Sequence, residues 1–323
     1  MGPQTRPAAC RVRLGVWPTP LQELDDRGCY YAKREDLCGF AFGGSKVRAV
    51  EPLLRDALAS GASILVTGGR RDSNWAALAA IGAASAGLSC HCVFDPGPGL
   101  PLAMRLAARA GATIHVAPAR GAAAVNAAIS ALAGELGPSA YPVPRAGAAP
   151  PGVAGYRALA RELTWQLPSG SADIVVPIGS GGACAGLVLG LGGTPAGRLG
   201  TGPAGGGDVR VVGVPAGKSA EEATAAVRRL LTPASQADVL LRRLLVLPRA
   251  EVRSALADQL AARAGVLLDP VFAGPAWHTF CASQPEAGAG GDQRRVVLVA
   301  SGGLPAYFDA LIPGGGTDAG GGR

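Results

Sequence analysis

One feature limits the fold of this chain more than any other: short, largely apolar runs alternate with longer stretches rich in alanine, leucine and arginine. The short runs fall at 63–67 (SILVT), 89–94 (SCHCVF), 113–117, 173–178 (DIVVPI), 208–214 (DVRVVGV) and 295–300 (RVVLVA). Helical patterns occupy 47–60, 74–87, 100–110, 122–136, 156–167, 183–191 and 220–231. Two strands joined through a helix of that length pair in parallel, because a hairpin needs only a few linking residues. Runs that are apolar on both faces require helices on both sides of the sheet. The expectation is an α/β chain: open, twisted, mostly parallel sheets with helices on both faces.

Composition narrows the function. At 323 residues the chain is one large domain or two lobes. A hydrophobic content of 48% against 16% charged residues excludes a disordered polymer. Apolar runs such as 174–178 are strand-sized, none approaches the length of a membrane span, and residues 1–6 lead into no apolar leader. A cytoplasmic protein without membrane contact is expected. The net charge of +7 comes from dispersed arginine: of 30 basic residues only Lys33, Lys46 and Lys218 are lysines. Basic pairs lie far apart and aromatics make up 5%, so no nucleic-acid surface is expected. The seven cysteines form no disulfide framework of the small secreted kind and are expected reduced. In Cys90-His91-Cys92, strand alternation puts the thiols on one side and the imidazole on the other, so no metal site is expected. Two glycine-rich segments, 192–207 and 314–323, read as flexible, and 142–151 as a crossing between lobes.

Chemistry concentrates in glycine-rich turns at strand ends, where open α/β sheets place ligands. Gly179-Ser180-Gly181-Gly182 follows the run DIVVPI and opens a helix. Such a turn is either a tight strand–helix junction or an anion cradle, with converging backbone N–H groups and a helix N-terminus. It lacks the spacing of a dinucleotide fingerprint and the Lys-Ser/Thr of a Walker loop. Gly43-Gly44-Ser45-Lys46 precedes a helix; a lysine here is either a solvated turn residue or a reactive amine. In a chain that otherwise uses arginine, Lys46 points to amine chemistry, since arginine does not lose its proton. Thr67-Gly68-Gly69-Arg70-Arg71-Asp72-Ser73-Asn74 repeats the strand–turn–helix pattern, with Ser73 and Asn74 also suited to cap the helix. Ser301-Gly302-Gly303 follows the last strand.

In order, the segments KREDLCGFAFGGSKVR, TGGRRDSNWAA, GSGGACAGLVLGL, GVLLDPVFAG and SGGLPAYF resemble the pyridoxal-phosphate enzymes of the tryptophan-synthase-β fold (fold type II). The branch they are most similar to is that of D-cysteine desulfhydrase and 1-aminocyclopropane-1-carboxylate deaminase. The resemblance implies pyridoxal 5'-phosphate as cofactor, a small amino acid as substrate and a homodimer. It implies a large cofactor domain over 1–48 and 150–323 and a small domain over 49–149. Lys46 would carry the cofactor covalently and move the substrate Cα proton. Ser73 would hold the substrate carboxylate, Asn74 the cofactor ring hydroxyl, and Gly179, Ser180, Gly181 and Gly182 the phosphate. Ser301 would meet the ring nitrogen, and Trp75, Arg70 and Phe272 would border the substrate.

The chain departs from that branch in several places. Where the family has Asp-Pro-Val-Tyr, this chain has Asp269-Pro270-Val271-Phe272, followed by Ala273 and with Pro275 in place of a lysine. Ser-Asn-His has become Ser73-Asn74-Trp75, preceded by Arg70, Arg71 and Asp72. Phe272 has no proton to give, and loss of a general acid–base group costs about 10²–10⁴-fold in rate. The expected reaction is a lyase or deaminase α,β-elimination to a 2-oxo acid and ammonia, with an altered substrate. The alternatives are replacement at Cβ, or a catalytically impaired homologue that binds the cofactor. A nucleotide-dependent oxidoreductase has no fingerprint to support it.

Overall fold

Every apolar run becomes a strand, and at least one helix lies between each and the next. The computed structural model describes residues 12–192, 207–231, 234–250, 255–284 and 294–311. Among them are strands β1 (Leu21–Glu23), β2 (Tyr30–Lys33), β3 (Ile64–Gly69), β4 (Ser89–Phe94), β5 (Thr113–Val116), β6 (Ala140–Pro142), β7 (Ala172–Ile178), β8 (Val209–Pro215), β9 (Leu244–Val246) and β10 (Arg295–Val299). The helices are α1 (Val47–Ala59), α2 (Asn74–Ser85), α3 (Leu102–Arg109), α4 (Ala122–Leu136), α5 (Pro150–Gln166), α6 (Gly182–Gly192), α7 (Ala220–Arg228), α8 (Ala237–Leu241), α9 (Ala255–Ala264), α10 (Ala273–Ser283) and α11 (Leu304–Leu311). The segments expected to be flexible lie outside the described residues, save Gly192, the last residue of α6, and Gly207.

The chain divides into two compact units: Met1–Gly15, Lys46–Gly152 and Phe308–Arg323 make one, and Val16–Ser45 with Val153–Tyr307 the other. The first contains a four-stranded sheet, order β5-β4-β3-β6, parallel throughout. The second contains six strands, order β1-β2-β10-β7-β8-β9, of which only β1 is antiparallel to its neighbour. The unit boundary at Gly152–Val153 falls inside α5, which begins at Pro150; two prolines fit its first turn, where no N–H is needed.

Alternation along β7 places the core of the second unit. Ile174, Val176 and Ile178 pack with Leu159 and Leu163 of α5 and Leu187, Val188 and Leu191 of α6. Val175 points to the other face, with Val212, Leu298, and Trp277 and Phe280 of α10. Each such aliphatic burial contributes about 1.5–3 kcal/mol. In the first unit, α4 covers one face of the sheet through Val125, Ile129 and Ala133 against Val66 and Val93. Cys90 and Cys92 share a side, with their sulfurs 3.7 Å apart, while His91 turns to meet His115 at 3.0 Å. The six described cysteines form no disulfide. Among the described residues no helix is long and apolar enough to cross a membrane, and no group of three or more ligating side chains is placed to hold a metal.

Short elements escaped the sequence pattern. β1, β6 and β9 have three residues each, too few to show a period, and β2 reads Tyr-Tyr-Ala-Lys. Lys33, at the end of β2, is fully buried; its ammonium donates to Thr19 O, Glu162 Oε2 and Gln166 Oε1, each at 2.7 Å. Breaking a buried ion pair from one side leaves a charge that water cannot reach. Glu162→Ala is therefore expected to lower unfolding stability by about 3 kcal/mol. Chemical denaturation measures this, and a loss within the ±0.5 kcal/mol of a typical surface substitution would contradict it.

Candidate active site

With both faces of the large sheet buried, polar groups in the second unit collect where the strands end. β7 runs out at Ile178, and α6 starts at Gly182. Gly181 has φ +92°, and a methyl group there would lie 3.1 Å from the Ala226 and Val227 backbone on α7. The turn thus needs glycine both for its conformation and for its approach to α7. The hydroxyl oxygen of Ser180 is buried and has no hydrogen-bond partner among the described residues. Lys218 donates from Nζ to the Gly179 carbonyl at 2.6 Å, which adds a cation to the cradle. Sequence reasoning missed Lys218; its only signal was the rarity of lysine in this chain.

Phe272 stands beside the same turn, a ring carbon 3.3 Å from where a Gly179 Cβ would sit. Asp269 fixes its backbone: one carboxylate oxygen accepts from the N–H groups of Val271 (3.0 Å) and Phe272 (2.7 Å), the other from Ala273 (3.0 Å). The Asp of the Asp-Pro-Val-Phe segment is thus the anchor for the start of α10. Burial pushes its carboxyl up to about 6, against the opposing pull of those N–H groups. At the end of β10, the Ser301 carbonyl accepts from Ser45 N–H at 3.0 Å. Gly44, at φ +108°, passes so close that a methyl group would stand 2.7 Å from that oxygen. In the second unit the structure therefore groups Gly179–Gly182 with Phe272 and Lys218, and Ser301 with Gly44–Ser45.

In the first unit, Lys46 occupies the capping position of α1, and its carbonyl accepts from the N–H groups of Ala49 and Val50 at 3.0 Å. Ser45, whose N–H donates to the Ser301 carbonyl, directly precedes it in sequence. β3 ends at Gly69, and α2 begins at Asn74. Ser73 caps α2, its hydroxyl accepting from Ala76 N–H at 3.3 Å. The side-chain oxygen of Asn74 is buried without a partner among the described residues. Arg70 sets its fork on Asp72, with both contacts at 3.0 Å; that hydrogen bond raises the guanidinium pKa. Arg71 reaches the carbonyls of Pro98 and Gly99. Trp75 is 2% exposed and donates from Nε1 to Thr67 Oγ1 at 2.9 Å. A separate cleft in the second unit, walled by Leu24, Tyr30, Trp277 and Phe280, contains none of these groups.

Asp269 supplies a test of this geometry. Its folded pKa of about 6 exceeds the ordinary 3.8, so the folded protein holds the proton more tightly than the unfolded chain. The stability this provides is complete below 3.8 and is lost as pH rises through 6. Measured by urea midpoints, the stability of the wild type relative to the non-titrating Asp269→Asn variant should rise as pH falls from about 7 to about 4. A difference independent of pH would contradict it.

Comparison with known proteins places this chain among relatives. The family described as "Pyridoxal-phosphate dependent enzyme" matches residues 12–302. A Pyrococcus horikoshii protein named "Putative 1-aminocyclopropane-1-carboxylate deaminase" is 30% identical, the match spanning 92% of this chain and 93% of the relative. The D-cysteine desulfhydrase of Salmonella newport is 29% identical over 92% of this chain and 95% of its own. A crystal structure described as an ACC deaminase homologue superposes with TM-score 0.76 at 29% identity, covering 93% of this chain and 95% of that one. O-ureido-L-serine synthase, at 18% identity and TM-score 0.66, covers 98% of both chains and is similar in fold.

Proposed function

The chain belongs to the pyridoxal-phosphate dependent enzymes, and from that premise we propose that it converts a small amino acid by α,β-elimination to a 2-oxo acid and ammonia, as a relative of D-cysteine desulfhydrase and 1-aminocyclopropane-1-carboxylate deaminase. Pyridoxal phosphate is its cofactor. One observation supports the assignment of residues most directly. Ser180 and Asn74 each keep a buried polar atom without a partner among the described residues, and both belong to the set assigned to the cofactor on sequence grounds. Buried polar groups in native proteins are almost always hydrogen-bonded, so an orphan calls for a missing partner. The cradle at Gly179–Gly182, too tight for a side chain at Gly181, fits a phosphate for the same reason.

Bound, the cofactor supplies a conjugated ring that draws electrons from the substrate Cα. The chain's residues do the rest. Lys46 carries the cofactor through its amine and moves the Cα proton. Backbone N–H groups of the cradle and the Ser180 hydroxyl bind phosphate, with Lys218 adding charge through its hold on Gly179. Asn74 meets the ring hydroxyl, and the turn at Ser73 holds the substrate carboxylate. Ser301 offers the ring nitrogen a neutral hydroxyl, which does not enforce its protonation and so suits elimination better than longer-lived carbanion chemistry. Phe272 gives no proton, so a leaving group that departs unaided, such as a thiolate, is favoured over cyclopropane ring opening. The reading extends to a cytoplasmic homodimer.

Product analysis tests the proposal. Holoenzyme is incubated with D- and L-cysteine, 1-aminocyclopropane-1-carboxylate and O-activated serines. A 2-oxo acid and ammonia should form from one of the substrates with a good leaving group, and the cyclopropane amino acid should turn over least. Phe272→Tyr should raise the rate by about 10-fold or more if the missing proton donor limits it. Absence of a 2-oxo acid from every substrate would overturn elimination, and a substituted amino acid formed in the presence of added thiol would mark replacement instead.

A further inference from the structure

Four charged side chains gather at the carboxyl ends of β3, β4 and β6 within the first unit: Arg70, Asp72, Asp95 and Arg145. Three of them have settled partners. Arg70 and Asp72 hold each other through two contacts of 3.0 Å. Asp95 accepts from Gly121 N–H, at the start of α4, at 2.8 Å. Arg145 differs. Its backbone N–H donates to Asn126 Oδ1 at 3.0 Å, but its guanidinium makes no hydrogen bond or ion pair with any described residue.

The surroundings keep that guanidinium half out of water. Burial lowers its pKa; the Asp95 carboxylate opposes this, Arg70 adds to it, and Asp72 opposes it least. Arginine is seldom buried unless paired, because its five donors lose water without compensation. The backbone also holds it at a cost. Ala146 has φ 62° and ψ 14°, a left-handed conformation disfavoured for a residue with a Cβ, and Gly147 follows at φ 67°. What holds this turn is Trp75. Its ring comes within 2.6 Å of the position a Gly147 Cβ would take, and its Nε1 donates to Thr67 Oγ1, which in turn donates to the Val143 carbonyl at 3.0 Å. Trp75 directly follows Ser73 and Asn74. The packing that seats the head of α2 therefore also seats Arg145.

We propose that Arg145 receives a second carboxylate on the substrate side chain, so that the amino acid taken by this site is dicarboxylic. The inference rests on the amino-acid reading given above. A planar guanidinium with free donors pairs with a carboxylate through two parallel bonds, a geometry that a neutral or thiol side chain does not complete. Arg70 is committed to Asp72, so Arg145 is the guanidinium of the four-residue group left to read the ligand.

The test is a binding titration of the holoenzyme with aspartate, glutamate, alanine and serine in both enantiomers, read by calorimetry and by the cofactor's visible absorbance. An acidic amino acid should bind at least about tenfold more tightly than alanine, the scale of a hydrogen bond to a charged group. Arg145→Gln should bring that ratio close to one while leaving alanine affinity nearly unchanged, and Arg145→Lys should keep part of the preference. Thermal unfolding of each variant identifies one that has failed to fold. Equal affinity for acidic and neutral amino acids in the wild type, or an equal loss for both in a folded Arg145→Gln, would overturn the proposal and leave the amino-acid reading standing. If no amino acid binds at all, that reading falls, and this one with it.

Discussion

The central strands β7 and β8 of the six-stranded sheet bury aliphatic side chains on both faces, and the rest of the second unit is arranged around that constraint. β7 and β8 send aliphatic side chains both ways, so polar atoms have room only where the ladder stops. The two ends of these strands then serve different purposes. At the amino end of β7, Asp173 is clamped by Arg210 at 2.6 Å and Arg294 at 2.7 Å, a closed structural cluster. At the carboxyl end the chain turns through glycines and leaves the Ser180 hydroxyl without a partner among the described residues.

Lys33 shows what the same constraint costs inside the sheet. Its ammonium needs three acceptors at 2.7 Å to exist there. This also qualifies an argument from composition. Scarcity of lysine singled out Lys46, but the two other lysines are placed just as specifically: Lys33 where a compact ammonium fits among three oxygens, Lys218 against the Gly179 carbonyl. Rarity identifies positions where arginine does not substitute, and the environment then decides why.

Legibility followed element length and packing symmetry. β4 and α4 have the bounds expected of them, because a six-residue apolar strand and a fifteen-residue alanine-rich helix carry enough positions to display a period. β1, β6 and β9 do not, and α10 was hidden by its opening Ala-Gly-Pro, whose N–H groups are satisfied by Asp269 or fall in the first turn. Gly179–Gly182, Ser73 and Asn74 were legible as turns at strand ends. Arg145 was not: it sits in a proline-bounded segment without periodicity, and the lack of a hydrogen-bond partner for its guanidinium among the described residues is a fact of three dimensions. Trp75, expected at the substrate border, has a buried ring that packs against Gly147 and so supports the Arg145 turn. Phe272 is a departure that sequence alone registers and structure places beside Gly179.

The account depends on which amine holds the cofactor. Reducing the holoenzyme with borohydride, digesting it and locating the cofactor-bearing peptide by mass spectrometry decides this without any knowledge of substrate. A single modified peptide containing Lys46 is the predicted result. Label on Lys33 or Lys218, or no label in protein supplied with the vitamin aldehyde, would contradict it.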